Sequence, residues 1–456
     1  MTKIIFSFDT EDFVNDFTSD SILRAARLLR EAGAKGCFQI VGLLAEALVK
    51  WGRQDVIDEL KEHHEIGFHS HTHSVHPNLV ELTDIQDYGV ALKNFLERET
   101  EGAEKVKAIF GRDRLMSAVP PGASLTYVAQ YGYRQMNIPV YACPFAVPYD
   151  KLTSRPVSFC NMTQVRYNRC LDSFLMRATE KDMKDLLDEA AKHHSYAFYH
   201  HPNMDSSKEY WDVLNYNGKN TDPKDYIPSP RMEPEKTELF FANFKKLLEL
   251  IKSDGRFEFG TYGDFADYFS GERIVDADLL QAAGRQIEEY FFPVTEPESL
   301  CLSDIFLAAS DIIRGKASHV CGDVKGFLCE PLALSETVTV KAEDVARAAD
   351  QIDPEGFLPE MLWVGDLALG PADWLRAALK ALRGEKTITV EPGPWQIDMT
   401  QFTALRDLDL GKLWYDCACS NFRDKYLSDR LRLQTWTVRL PKRTQRTVFP
   451  DREIYR

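Results

Sequence analysis

The sequence predicts an α/β protein in two parts, an alternating strand–helix region over residues 1–272 and a second, mostly helical domain over residues 273–456. Three observations carry this expectation. Short apolar runs alternate with amphipathic helical stretches through the first 270 residues. At 456 residues the chain exceeds what one ordinary core holds. Near Gly271 the alternation stops, and helical segments separated by Pro/Gly-containing loops take over.

The elements follow in order. Lys3–Asp9 is a strand, alternating at first and then ending on acidic residues. Ser19–Ala32 reads as a helix, with Ser19, Asp20 or Ser21 as its cap and Ile22, Ala25, Leu28 and Leu29 as its apolar face. Gly33 and Gly36 end it, and Cys37–Val41 is the second strand. A helix near Asp55–Glu62 leads to the short strand Glu65–Phe68, which delivers a run of histidines. Leu115–Val119, Ser195–Tyr199 and Phe257–Gly260 are further strands, each preceded by a helical stretch. Residues 205–237, rich in Tyr, Asn, Asp and Pro, form a long irregular excursion. In the second part, Asp304–Ile313, Ala342–Gln351 and Ala372–Leu382 are helices and Thr387–Val390 is a strand. The last stretch, Arg430–Arg456, is rich in Arg and Lys and is expected to touch acidic surface of its own protein.

Composition narrows the function classes. With 44% hydrophobic and 27% charged residues the chain is globular, not disordered. A formal charge of −15 opposes broad nucleic-acid binding and docking on anionic membranes. No apolar run approaches the roughly 20 residues that span a bilayer. Met1-Thr2-Lys3 runs straight into the first strand and leaves no room for a signal peptide, so the expected location is the cytoplasm. Nine cysteines, odd in number and without a CxxC pair, suit reduced thiols there; Cys417 and Cys419 read as plain thiols, not ligands.

Two fragments carry the chemistry, Phe8-Asp9-Thr10-Glu11-Asp12 and His69-Ser70-His71-Thr72-His73. Carboxylates mixed with imidazoles suit Zn²⁺ and its first-row neighbours. A metal with an open position lowers the pKa of a bound water to about 7, which points to metal-assisted hydrolysis. Positions 69 and 73 differ by four, so on a helical turn both imidazoles would face one way. Asp9 and Glu11 differ by two and can share a face at a strand end. His71 lies off the histidine line and reads as a supporting or solvated residue. His63, His64 and His76 read as solvated surface. These side chains sit just past strand C-termini, the rim where parallel α/β folds bind ligands.

The same residues resemble a known family. Over the first 270 residues the chain is similar to the polysaccharide deacetylase (NodB-homology, carbohydrate esterase family 4) superfamily. His69–His73, preceded by Glu65-Ile66-Gly67, fits its H-[ST]-x-x-H motif, and Asp9-Thr10-Glu11 fits its D-x-[DE] motif. Val119-Pro120-Pro121-Gly122 and Gly132-Tyr133-Arg134 fall where the family has R-x-P-x-G and a GY turn. Phe198-Tyr199-His200-His201-Pro202 resembles its last catalytic strand. The resemblance implies a distorted (β/α) barrel of the NodB type with an incomplete ring of strands.

It also implies roles. Asp9 would be the general base. Glu11, His69 and His73 would hold a divalent metal, Zn²⁺ first, with Co²⁺, Ni²⁺, Mn²⁺ or Fe²⁺ as alternatives; Asp12 could stand in for Glu11. His201, or its neighbour His200, would be the general acid. Two departures stand out. The family's arginine beside the base is Ala118 here, unless Arg112, Arg114 or Arg134 reaches in, and no Asp/Trp motif buttressing the catalytic histidine is visible. The expected activity is hydrolysis of an amide C–N bond, with an N-acetylated sugar or glycan precursor as substrate. The alternatives are an allantoinase or cyclic-imide type hydrolase of a small cytoplasmic amide, and a non-catalytic metal- or carbohydrate-binding protein. The expected partners are a carbohydrate or small amide, neither nucleic acid nor membrane, with homo-oligomer contacts through the C-terminal domain as one option.

Overall fold

Strand β1 (Thr2–Thr10) is buried along its length except for the partly exposed Lys3, as expected of a strand covered on both faces. The computed structural model to which it belongs describes residues 1–123, 126–143, 155–216, 219–398 and 425–442. Around β1 run β2 (Cys37–Ile40), β3 (Glu65–Phe68), β4 (Ser117–Ala118) and β5 (Val140–Cys143). The short β6 (Val157–Phe159) groups with a second unit of the chain. β7 (Met162–Cys170) and β8 (Ser195–His200) then bring the path back to β1.

The ring order is β1-β2-β3-β4-β5-β7-β8 and back to β1, and every pairing is parallel. The protein is therefore built on the (β/α) barrel expected from the sequence, but seven strands close the ring where an incomplete one was expected, because β1 pairs with both β2 and β8. β9 (Phe257–Gly260) lies beside it. β1 changes partner half way along: Thr2–Ile5 pairs with β9, and Ser7–Thr10 pairs with β2. The surrounding helices include Ser19–Ala32, Gln54–His63, Tyr88–Phe110, Tyr127–Gln135, Glu180–Ala190 and Pro234–Ser253.

The barrel has two apolar layers. Inside, Ile5, Val119, Val140, Ala142, Val165 and Ala197 pack with the phenol rings of Tyr167 and Tyr262. Outside, Phe8 stacks on Phe38 at 4.7 Å and Phe6 on Phe198 at 5.3 Å, with Phe244 set edge-on against both Phe6 and Phe8. Truncating a buried ring such as Phe8 to Ala would cost about 3–5 kcal/mol. Gly67 is required by close approach, because a Cβ there would lie 2.0 Å from the Gln39 side-chain oxygen inside the ring.

Several sequence expectations need correction. The strand expected over Leu115–Val119 contracts to Ser117–Ala118, and strands β5 and β7 lie in stretches not read as strands. The helix over Ser19–Ala32 has Thr18 at its N-cap without a side-chain bond, while Gly33 closes it in the left-handed region at φ 80°. His64 is not solvated. It is 4% exposed and accepts a bond from the Gly36 N–H at 3.0 Å, and burial pulls its pKa down to about 4.

The second unit gathers residues 157–161, 269–398 and 428–442 among those described. Its helices include Ala277–Glu289, Leu302–Ile313, Ala342–Ala348 and Pro371–Leu382. Alongside them stand three small antiparallel pairs: Arg273–Asp276 with Ser318–Cys321, Val338–Lys341 with Thr387–Val390, and Leu362–Val364 with Leu367–Leu369. The basic C-terminal stretch, as far as it is described, does meet acidic groups of its own unit. Arg439 holds Asp304 in a buried two-point pair at 2.7 and 2.8 Å, Arg432 meets Glu330 at 2.8 Å and Lys442 meets Glu298 at 2.9 Å. None of the seven described cysteines is in a disulfide, and Cys417 and Cys419 lie outside the described residues. Among the described residues no helix is long and apolar enough to cross a membrane.

Candidate metal and acid–base site

Three strand ends of the barrel meet around Asp9 and Glu11. Asp9 is the penultimate residue of β1 and Glu11 follows its end; both are 5% exposed. β3 hands over to the loop that carries His69 and His73, and β8 ends at His200 with His201 next. The Glu11 carboxylate faces both ring nitrogens, with Oε2 2.9 Å from His73 Nε2 and 3.5 Å from His69 Nε2.

The loop from 69 to 73 is not a helical turn, contrary to the sequence expectation. Ser70 and His73 both take left-handed backbone angles, φ 67° and 51°, and the two rings converge through that fold-back. Such backbone costs about 1–3 kcal/mol per non-glycine residue and persists where the surroundings enforce it. Here the Ser70 side chain accepts the His73 N–H at 3.0 Å, and the Glu99 carboxylate accepts the His71 N–H at 2.9 Å. His71 itself is buried, not solvated, with its side chain against Gly42 and Gly102, and it is not part of the cluster of Glu11, His69 and His73.

The tautomers are set from behind. His69 Nδ1 donates to the Val119 carbonyl at 2.8 Å. His73 Nδ1 donates to Ser74 Oγ at 2.8 Å, and that hydroxyl donates to Asp212 at 2.8 Å. Both Nε2 lone pairs are thereby aimed inward, the arrangement that metal-binding histidines show. Neither buried Nε2 has a hydrogen-bond partner among the described residues. Ligand atoms around a tetrahedral Zn²⁺ lie about 3.3 Å apart, given bonds of ~2.0–2.1 Å, so Glu11, His69 and His73 fit a divalent cation. Burial works against ionisation of Glu11, yet His73 and then His69 outweigh it and hold the carboxyl well below its usual range.

Asp12 faces elsewhere. Its carboxylate takes the N–H groups of Val14 and Asn15 and the Asn15 amide, at 2.9–3.1 Å, and burial pushes its pKa up to about 6. It braces the loop after β1, and Glu11 is the carboxylate that joins the histidines.

The two neighbouring histidines part company. His201 points into the site, with Nε2 3.7 Å from Asp9 Oδ2. His200 is buried behind it, stacked on Phe240 at 4.6 Å. One carboxylate serves both: Asp172, just past β7, accepts from His201 Nδ1 at 2.8 Å and lies 2.7 Å from His200 Nδ1 as an ion-pair partner. Tyr210 also donates to Asp172, at 2.9 Å, and Asp205 Oδ2 accepts from the far side of His200, Nε2, at 3.0 Å. Burial alone would lower the pKa of both rings. The carboxylates reverse that, raising His200 to about 10 and His201 well above its ordinary value. Asp172 is therefore the buttress that the sequence did not reveal.

The gap at Ala118 is filled from inside the barrel. The Tyr167 hydroxyl donates to Asp9 Oδ1 at 2.9 Å and accepts from Ser7 Oγ at 2.7 Å. Burial first, and then the Asp9 charge, push this phenol well above its usual pKa, so it remains a neutral donor. The arginines considered from sequence do other things: Arg112 bonds the Lys61 and His64 carbonyls, and Arg114 bonds the Asn137 carbonyl. Arg134 lies on the helix Tyr127–Gln135. The excursion after His201 supplies the remaining wall: Trp211 lies 5.5 Å from His73 and 4.5 Å from Phe13, and Asp212 holds Ser74.

No protein-family model and no curated protein matches this sequence. Among solved structures the chain is similar to a protein assigned as a polysaccharide deacetylase from Mycobacterium smegmatis, at 12% identity over 59% of this chain and 90% of that one, TM-score 0.38. It is similar to the peptidoglycan deacetylase PdaC from Bacillus subtilis at 14% identity, over 63% and 95%, TM-score 0.32. It is also similar to a CE4 family pseudoenzyme from Bacillus anthracis at 12% identity, over 58% and 66%, TM-score 0.34. The likeness lies in the fold alone.

Proposed function

We propose that the protein is a metal-dependent hydrolase that cleaves an amide C–N bond, removing the acetyl group from an N-acetylated sugar or glycan unit. The observation that carries this reading is the convergence of Glu11 with two buried, unpartnered imidazole nitrogens beside a matched base and acid. Glu11, His69 and His73 would hold the cation, with Zn²⁺ the first choice for one carboxylate and two imidazoles. When bound, it supplies polarisation of the amide carbonyl and a lower pKa for water.

The remaining work falls to the chain's own side chains. Tyr167 occupies Asp9 Oδ1 and leaves Oδ2 to accept a proton from the attacking water. His201, kept protonated by Asp172, stands opposite and gives its Nε2 proton to the departing nitrogen. An amide nitrogen leaves badly as an anion, so base and acid must act from separate groups, and here they face each other at 3.7 Å. The choice of an N-acetylated sugar rests on the motif resemblance of Asp9–Glu11, His69–His73 and His201.

The test is amine release from N-acetylglucosamine oligomers and from small cyclic amides, with and without chelator. Release from the sugars alone, lost with chelator and in His69→Ala, is expected; Asp9→Asn should keep its metal and lose turnover. Release only from cyclic amides, or bound metal with no turnover on either class, would overturn the deacetylase reading.

A further inference from the structure

One nucleophilic group beside the acid has no part in the chemistry above. Cys170 closes β7 as a half-buried thiol, two residues before Asp172. The β7–β8 pairing sets it against Tyr199, so His201 lies just beyond. The result is a thiol, a carboxylate and an imidazole, Cys170, Asp172 and His201, whose donor atoms all lie within 4.8 Å of one another. Asp172 already accepts from the His201 ring at 2.8 Å.

We propose that Cys170, Asp172 and His201 form a second cation site, selective for thiophilic divalent ions such as Zn²⁺, Cd²⁺ or Co²⁺, whose occupation shuts the enzyme off. Thiolate, imidazole and carboxylate are the ligand types that Zn²⁺ combines, and sulfur biases the site towards soft cations. The first cluster, Glu11 with His69 and His73, contains no sulfur, so the two sites differ in kind. Ligand atoms of a tetrahedral zinc site with one sulfur lie about 3.3–3.6 Å apart, so closure needs movement of about an ångström. All three residues are only partly buried, which leaves room for that movement and a path for the ion.

Binding is an exchange of protons for the cation, with no redox change. The Cys170 S–H proton and one ring proton of His201 pass to solvent as the metal–sulfur and metal–nitrogen bonds form, and Asp172 gives up its hydrogen bond to that ring. Ligated through Nδ1, His201 keeps its Nε2 proton but can give it up only by becoming imidazolate, so it is a far weaker acid than the imidazolium the reaction needs. This inhibitory consequence rests on the functional reading above; the binding itself does not.

The experiment is Co²⁺ titration of the full chain under a phosphine reductant, read by bound metal after equilibrium dialysis and by near-ultraviolet thiolate-to-cobalt absorption. Wild type should bind two ions at saturation and develop the absorption with the second. Cys170→Ser should bind one ion without the absorption, and excess Zn²⁺ should no longer inhibit it. His69→Ala should also bind one ion, but with the absorption retained, so that loss of the first site and loss of the second are told apart. Saturation at one ion without the absorption in wild type, or persistence of the absorption in Cys170→Ser, would overturn the proposal.

Discussion

Replacing Tyr167 by Phe removes one oxygen from the barrel interior and with it the hydrogen bond that the phenol donates to Asp9 Oδ1. The ring stays, stacked on Tyr199 at 4.7 Å, so packing should change little. What is lost is a bond to an ionised group, worth about 1.5–3 kcal/mol. If that bond serves to aim the base, the loss appears in the barrier, as a fall in kcat of about 10- to 150-fold. Metal content should be unchanged, because Glu11, His69 and His73 do not touch Tyr167 through any of their short contacts. The assay is steady-state kinetics on an N-acetylated oligosaccharide alongside metal analysis of the same preparation. A kcat within about twofold of wild type, with metal intact, would show that this phenol does not position Asp9.

Other perturbations follow from the same geometry. Asp172→Asn removes the charge that raises His201, so the acid loses its proton at lower pH and the alkaline limb of the pH–rate profile should shift downward; an unmoved limb rules out the dyad. Glu11→Gln should lose tightly bound metal, whereas Asp12→Asn, which can still bond the loop after β1, should keep it; the opposite result in metal analysis would exchange the two carboxylates. Ser74→Ala breaks the link from His73 to Asp212 and should weaken metal affinity about 10- to 100-fold in competition with a chromophoric chelator, and equal affinity would deny it that role.

Much of the barrel is legible in the sequence because its strands are apolar runs bounded by polar residues. Cys37–Ile40, Glu65–Phe68 and Phe257–Gly260 are of this kind, and so the rim positions of Asp9, Glu11, His69 and His201 can be read. β7 is different. Its outer half reads Arg166, Tyr167, Asn168, Arg169, Cys170, with Arg166 and Arg169 exposed and no regular alternation, and periodicity does not separate it from a loop. Missing that strand hides both groups it delivers, Tyr167 for the base and Asp172 for the acid. The loop at 69–73 misleads in another way. A spacing of four suits a helix, but two left-handed residues produce the same convergence by folding the chain back, and no propensity announces them. His64 reads as surface because two histidines and flanking acids look hydrophilic, while the backbone N–H of Gly36 gives it a reason to be inside.

The divided pairing of β1 bears on when the site comes into being. Thr2–Ile5 waits for β9 at Phe257–Gly260, and Lys3–Phe8 waits for β8 at Ser195–His200. The first of the barrel's strands along the chain is thus among the last to acquire its neighbours, and its nearest partner in the chain, β2, secures only Ser7–Thr10. Parallel ladders over such separations form slowly, because a long loop must close before the contacts repay it. A nascent chain that ends before β8 would carry Asp9 and Glu11 on a strand with one bare edge, so metal capture should come late, after β8 has shut the barrel.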